Sequence, residues 1–153
     1  MSEIKTRHLF HIALQVSPPH VIGSTPYGER RIVPVPEGEF EGERLRGVVL
    51  NGGSDWILVR PDHVWALNVR LVLQTNEGDL IEMSYRGLRH GPAHIIEQVH
   101  RGEPVDPSAY YFRTAIFFET GSERYAWMNK ILAIGSGYRE PAGPRYQVFE
   151  VLL

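Results

Sequence analysis

VWALNVRLVLQTNEGDLIEMSYR, residues 64–86, alternates without error in its first half: Trp65, Leu67, Val69, Leu71 and Leu73 share one face, while Asn68, Arg70 and Gln74 share the other. That is the period of a strand. The residues Thr75-Asn76-Glu77-Gly78-Asp79 supply a glycine able to take positive φ and side chains that bond their own backbone, so the chain is expected to return as a hairpin through residues 80–86. An arginine and an asparagine in the middle of so apolar a strand fit a polar-lined interior as readily as a solvated face. The pattern points to a small β-protein with a ligand cavity.

Outward from this hairpin, residues 7–16 alternate, with Phe10, Ile12, Leu14 and Val16 on one side, and Ser17-Pro18-Pro19 ends the strand. Residues 21–40 are broken by Gly23, Pro26, Gly28, Pro34, Pro36 and Gly38; they read as loop with a short extended piece at 31–35, since the prolines oppose a central strand. Strands are predicted at 44–50 and 57–60, separated by the paired glycines Gly52-Gly53. Residues 87–92 read as a loop. Residues 93–100 place Ile95, Ile96 and Val99 at helical spacing, with Pro92 suited to the first turn and Gly102 to the end. Residues 109–120, AYYFRTAIFFET, are rich in aromatic and β-branched side chains and read as a strand. A helical turn through 125–127, with Ser122 as its cap, and a last hairpin, 130–138 and 146–152 around EPAGP, complete the chain.

Composition narrows the function. At 153 residues one domain, spanning 1–153, is expected, long enough to build its own core. A net charge of −2 with no basic run argues against nucleic acid as a partner. The absence of cysteine excludes disulfides, thiolate metal sites and a cysteine nucleophile, and fits a reducing, cytoplasmic address. MSEIKTRHLF lacks the pattern of a secretory signal, and no apolar run approaches the ~20 residues of a membrane helix, so no membrane partner is expected. Of the seven histidines, His90 and His94 are separated by Gly91-Pro92, and His8 and His11 point to opposite faces of a strand; no metal site is expected. Neither a hydrolase serine elbow nor a glycine-rich phosphate loop is present, and no cofactor is expected.

Many short strands with one short helix argue an all-β sandwich or closed barrel. Polar and aromatic residues on the second face of several strands favour the barrel, because an interior wide enough for a small ligand tolerates them where a sandwich would not. The expectation is an antiparallel up-and-down β-barrel, lipocalin- or streptavidin-like in general shape.

GERRIVPVPEGEFEGERLRG (residues 28–47), GGSDW (52–56), LNVRLVLQTNEGDLI (67–81), YYFRTAIFFETG (110–121) and YAWMNKILAIG (125–135), in that order, resemble uncharacterised protein family 0311, the domain of unknown function 3237, whose members are mostly bacterial. The resemblance spans nearly the whole chain and implies an antiparallel barrel of about eight strands. It implies no activity. Carried over residue by residue, it marks Asp55, Trp56, Arg70, Tyr111, Arg113, Glu119, Trp127 and Asn129 as candidate site residues. Asn68 and Leu71 depart from the family pattern, which has Asp and Tyr there, so a role needing a carboxylate or phenol on that strand is not expected of this chain.

These residues suggest a chemistry. Arg70 and Arg113, if both face a cavity, form a cationic clamp for a carboxylate or enolate; solvated arginines and internal pairs with Asp55 or Glu119 are the alternatives. Asp55 and Glu119 are the candidate proton-transfer groups, since burial and neighbouring arginine tune a carboxyl's pKa, although Asp55 also suits a turn after the glycine pair. Trp56, Tyr111 and Trp127 would shape the walls, and Asn129 completes the ligand-binding set. The function expected is therefore small-ligand binding, of an anionic compound above all, with cofactor-free isomerase or lyase chemistry on a carbonyl or carboxylate compound. A non-catalytic binding protein and a structural module with internal arginine–carboxylate pairs are the alternatives. Edge strands and plentiful aromatics make a homo-oligomer reasonable.

Overall fold

The structure, a computed structural model, describes residues 2–153. In chain order the strands are β1 (Thr6–Gln15), β2 (His20–Thr25), β3 (Gly28–Val35), β4 (Glu37–Glu41), β5 (Arg46–Val49), β6 (Gly53–Val59), β7 (Trp65–Thr75), β8 (Leu80–His90), β9 (Tyr111–Glu119), β10 (Ala133–Glu140) and β11 (Gly143–Val151). One α-helix, α1 (Ala93–His100), joins β8 to β9, and a 3-10 turn, Ala126–Lys130, joins β9 to β10. All pairings are antiparallel. Strands β7, β5, β4, β1, β11, β10, β9 and β8 follow one another around a closed eight-stranded barrel, the β7–β8 hairpin completing the ring.

β7 has divided neighbours on its second side. Its C-terminal half pairs with β5, Val49 opposite Leu73, and its N-terminal half pairs with β6, Ser54 opposite Arg70. The β5–β6 reversal at Asn51-Gly52 makes this possible, with Gly52 at φ 116°, a conformation that favours glycine. From the division, β6, β3 and β2 continue as a side sheet alongside one barrel mouth.

The region expected to be loop, residues 21–40, forms β2, β3 and β4. Pro34 is tolerated inside β3 because its carbonyl accepts from Ser17 N–H at 3.0 Å, on the side away from β6. A residue's nitrogen and carbonyl point to the same side of a strand, so the missing N–H takes nothing from the β6 ladder. β8 also runs further than the sequence predicts, through His90, where residues 87–92 read as loop. The helical turn begins at Ala126, so Tyr125 and not Ser122 precedes it, and no side chain caps it.

The interior follows the alternation. Leu67, Val69, Leu71 and Leu73 of β7, Ile81, Met83 and Tyr85 of β8, Phe112, Ile116 and Phe118 of β9, and Phe10, Ile12 and Leu14 of β1 are buried together. On β10 the inward positions include Gly135 and Gly137; a methyl group at Gly137 would fall 2.8 Å from the Phe112 ring, so the ring lies flat against bare backbone. The barrel is thus filled with apolar side chains at its centre and at the end carrying the β7–β8 turn. The polar interior expected from Arg70 and Asn68 is not found there, because a strand with period two can bury only one of its faces, and the uniformly apolar face of β7 is the one that loses water. Among the described residues no helix is long and apolar enough to cross a membrane.

Candidate functional site

A cavity of about 220 Å³ opens at the mouth opposite the β7–β8 turn, between the barrel and the β3–β6 side sheet. Its charged and polar lining is Ser17 after β1, Arg31 of β3, Asp55 of β6, Tyr85 and Arg89 of β8, His100 at the end of α1, Arg139 of β10 and Tyr146 of β11. Trp65, Val69, Ile57 and Val33 supply apolar walls.

Arg89 reaches this cavity because β8 continues its inward series, Ile81, Met83, Tyr85, Gly87, Arg89, to the end of the strand. Its side chain is 5% exposed. The guanidinium lies 4.9 Å from the centre of the Trp65 ring, its cross-strand neighbour, and 5.2 Å from that of Phe112. Among the described residues its one side-chain hydrogen bond is from Nη2 to Nε2 of His100, at 3.4 Å, and its Nε is buried with no partner. Among the described residues no carboxylate is paired with it. Burial lowers its pKa to about 10, with Arg139 acting in the same direction and the nearby phenols and Asp55 opposing. It remains charged at neutral pH.

Asp55 projects inward from β6. The β6–β7 ladder pairs Asp55 with Val69 and resumes with Leu58 opposite Ala66. Where it parts, the Asn68 N–H donates to Asp55 Oδ1 at 3.1 Å and the Trp56 carbonyl accepts from Arg30 at 3.3 Å. The opened ladder therefore anchors one carboxylate oxygen and leaves the other free. Enclosure by protein raises the pKa of Asp55 to about 6, against the lowering effect of the Asn68 bond and of Arg89 and Arg139. Burial likewise raises both phenols, Tyr85 and Tyr146, whose rings meet edge to face at 5.3 Å, so each stays a protonated donor. The His100 ring packs 4.0 Å from Trp65 and is held below its ordinary pKa by desolvation and then by Arg89, Arg139 and Arg31. A neutral imidazole accepting at Nε2 carries its proton on Nδ1.

Of the residues singled out from the sequence, Asp55 lines this cavity and the others lie elsewhere. Arg70 is on the outer wall, with its side chain 78% exposed and paired with Glu82 at 3.1 Å. Trp56 is on the outer face of β6. Tyr111, Arg113 and Glu119 share the outer face of β9, Tyr111 stacking on His90 at 5.0 Å and Arg113 donating to the Phe112 carbonyl at 3.0 Å. Trp127 packs under Arg44, which also pairs with Glu150, away from the cavity. Asn129 binds the Thr120 backbone, accepting at 2.8 Å and donating at 3.0 Å. The clamp of Arg70 and Arg113 is replaced at the mouth by Arg89, Arg139 and Arg31, because residues 70 and 113 carry the outward parity of their strands. Asn68 points outward as well; only its backbone meets Asp55. Leu71 is core.

Fold and site together define a closed antiparallel β-barrel with an arginine-rich pocket at one mouth. The chain belongs to the family described as "Protein of unknown function (DUF3237)", whose model matches residues 4–151. It is 34% identical to UPF0311 protein RPA1785 from Rhodopseudomonas palustris over 149 residues, 97% of each chain. The crystal structure of that protein matches with a TM-score of 0.95, covering 99% of this chain and all of the other. A β-barrel-like protein from Acinetobacter baumannii, also 34% identical, matches with a TM-score of 0.87 over 99% of this chain and 98% of that one. A more distant structure, described as an enzyme from Penicillium herquei, shares the fold with a TM-score of 0.74 at 17% identity, over 99% of this chain and 97% of its own.

Proposed function

We propose that the barrel mouth binds a small organic anion and that Asp55 moves a proton on it, as a cofactor-free isomerase or lyase acting on a carbonyl or carboxylate compound. The observation that carries this reading is Arg89, a guanidinium buried from bulk water, open to a cavity and, among the described residues, in no ion pair. An unpaired buried charge is costly to a fold, and a ligand carboxylate would offset that cost. The cavity is smaller than the ~300–1,000 Å³ of drug-sized sites, which suits a compact metabolite.

In the catalytic version the ligand's carboxylate or carbonyl oxygen faces Arg89 and Arg139, with Tyr85 or Tyr146 as further donors. The free oxygen of Asp55 takes a proton from the carbon next to the carbonyl. The C–H electron pair moves onto the carbonyl oxygen as an enolate, which the guanidinium stabilises. Return of the proton to another carbon gives an isomer; departure of a β-substituent gives a lyase product. A group titrating near pH 6 is suited to give back the proton it takes.

The test is a thermal-shift screen against carboxylic and phenolic acids, followed by NMR of each hit in D₂O. Exchange of the ligand's acidic C–H for deuterium in the native protein and not in Asp55→Asn supports catalysis. Binding without exchange identifies a non-catalytic binding protein. Failure of every organic anion to bind, or binding unaffected by Arg89→Met, overturns the anion site itself.

A further inference from the structure

The three guanidiniums of the mouth come from three strands, Arg31 from β3, Arg89 from β8 and Arg139 from β10, and the cavity lining contains one carboxyl group, Asp55, to set against them. His100 adds no charge, since it accepts from Arg89. Arg31 has Glu29 at 3.9 Å, but that carboxylate is 54% exposed at the rim, and solvated pairs of this kind are worth little. The Nε of Arg31, like that of Arg89, is buried and without a partner. Both guanidinium carbons lie 4.9 Å from the centre of the Trp65 ring, so one indole holds the two cations within twice that distance of each other. Arg139 is anchored through its backbone N–H, which donates to Tyr110 Oη at 2.9 Å, and its side chain is free of any ion pair among the described residues.

With Asp55 ionised, two guanidiniums remain in excess. A monocarboxylate would satisfy one and leave the other buried and unpaired. We propose that the cavity is built for a dianion bearing its charges on two separate carboxylate groups, a short dicarboxylic acid or its 2-oxo or unsaturated derivative. This rests on the anion-binding reading above and specifies its ligand. The placement of the cations on different walls favours two separated charges over a single phosphate, which would concentrate both at one point. The compactness of the cavity limits the carbon chain between them. One carboxylate meets Arg89, whose side chain is buried beside Trp65, and the second meets Arg139 on the β10 wall.

The experiment is calorimetric titration of the native protein, above the titration of Asp55 and at fixed ionic strength, with the series malonate, succinate, glutarate and adipate. Each is compared with its monomethyl ester, and inorganic phosphate serves as a further probe. The best dicarboxylate is expected to bind about ten- to a hundredfold more tightly than its ester, the worth of one additional charged hydrogen-bond pair. Arg139→Gln is expected to remove that advantage, bringing diacid affinity to within about twofold of that of the ester titrated against the same variant. Equal affinity of diacid and ester overturns the dianion and leaves the anion site standing. Phosphate binding as tightly as the best diacid overturns the two-group ligand. Failure of diacids, esters and phosphate alike overturns this inference together with the reading beneath it.

Discussion

Arg89 donates through Nη2 to Nε2 of His100 across 3.4 Å, tying the end of β8 to the end of α1 at the rim of the cavity. The bond requires the imidazole to be neutral there, and the same guanidinium, with Arg139 and Arg31, opposes its protonation after desolvation has begun to do so. His100 is therefore expected to titrate below the ordinary ~6.5 for histidine, as the Nδ1–H tautomer at neutral pH. Nitrogen-15 chemical shifts of the ring give both quantities. In Arg89→Met the midpoint should climb toward the ordinary value. The sign for stability follows from a folded-state pKa below the unfolded one: the contribution is complete above the unfolded value and is lost as pH falls through the folded one. An imidazole already protonated at neutral pH would rule out the acceptor role.

Replacing Arg89 should make the empty protein more stable while disabling it. The side chain is buried, its Nε is unpartnered and, among the described residues, no carboxylate is bonded to it, so the free protein carries most of the desolvation cost of the charge. Arg89→Met retains most of the packing against Trp65 and Phe112 and removes that cost; urea unfolding should show a gain of about 1–3 kcal/mol. Anion binding should disappear in the same variant. Loss of stability on this substitution would mean that the guanidinium is satisfied within the fold, and that the cavity has no need of an anion.

Asp55 gives a pH dependence of the opposite sign to that of His100. Its folded pKa, about 6, lies above the ordinary ~3.9, so between those values the native state holds the extra proton. Its stabilising contribution is present below the unfolded value and is lost as pH rises through about 6. Allowing for partial solvent contact, the amount is roughly 2 kcal/mol. Asp55→Asn should accordingly be more stable than the native protein by about that much at neutral pH, with the difference closing toward pH ~4. Unfolding free energies at the two pH extremes test it. Proton-transfer activity, if Asp55 is the base, rises through the same midpoint and is absent in the variant.

Much of this architecture is legible in the residues. The alternation of β7, the turn at Gly78, the helix over residues 93–100 and the aromatic strand β9 all follow from periodicity, which fixes element type wherever one face is uniformly apolar. Which face turns inward was also available: on β7 and β9 the apolar series, Leu67 to Leu73 and Phe112 to Phe118, is the buried one. The expectation of a hollow barrel draws Arg70 and Arg113 to the interior, where the parity of their neighbours places them outside. Arg89 was missed for a related reason. Gly87 resembles the start of a loop, yet counting by twos from Ile81 through Met83 and Tyr85 leads directly to it. Arg31 and Arg139 lacked such a signal, because β3 contains Pro34 and the inward positions of β10 before Arg139 are glycines and alanine. Their convergence depends on the division of β7 between β5 and β6, which is a relation among distant strands.

At the end of the barrel away from the cavity, a second buried charge shows what a satisfied one looks like. Glu150 is 4% exposed and accepts from Arg7 at 2.9 and 2.7 Å through Nε and Nη2, and from Arg44 as well. The partners are unequal in their dependence on one another. Both arginines retain contact with solvent, whereas the carboxylate has nowhere else to turn. Removing Glu150, as Glu150→Gln, leaves two solvated cations and an amide that can still accept, and should cost about 1–2 kcal/mol. Removing both arginines, Arg7→Ala with Arg44→Ala, strands a buried carboxylate and should cost about 3–5 kcal/mol. Neither change should alter anion binding, since none of the three residues lines the cavity. Urea unfolding, paired with titration of the same proteins against a dicarboxylate, separates this structural ion cluster from the unpaired guanidinium at the opposite mouth.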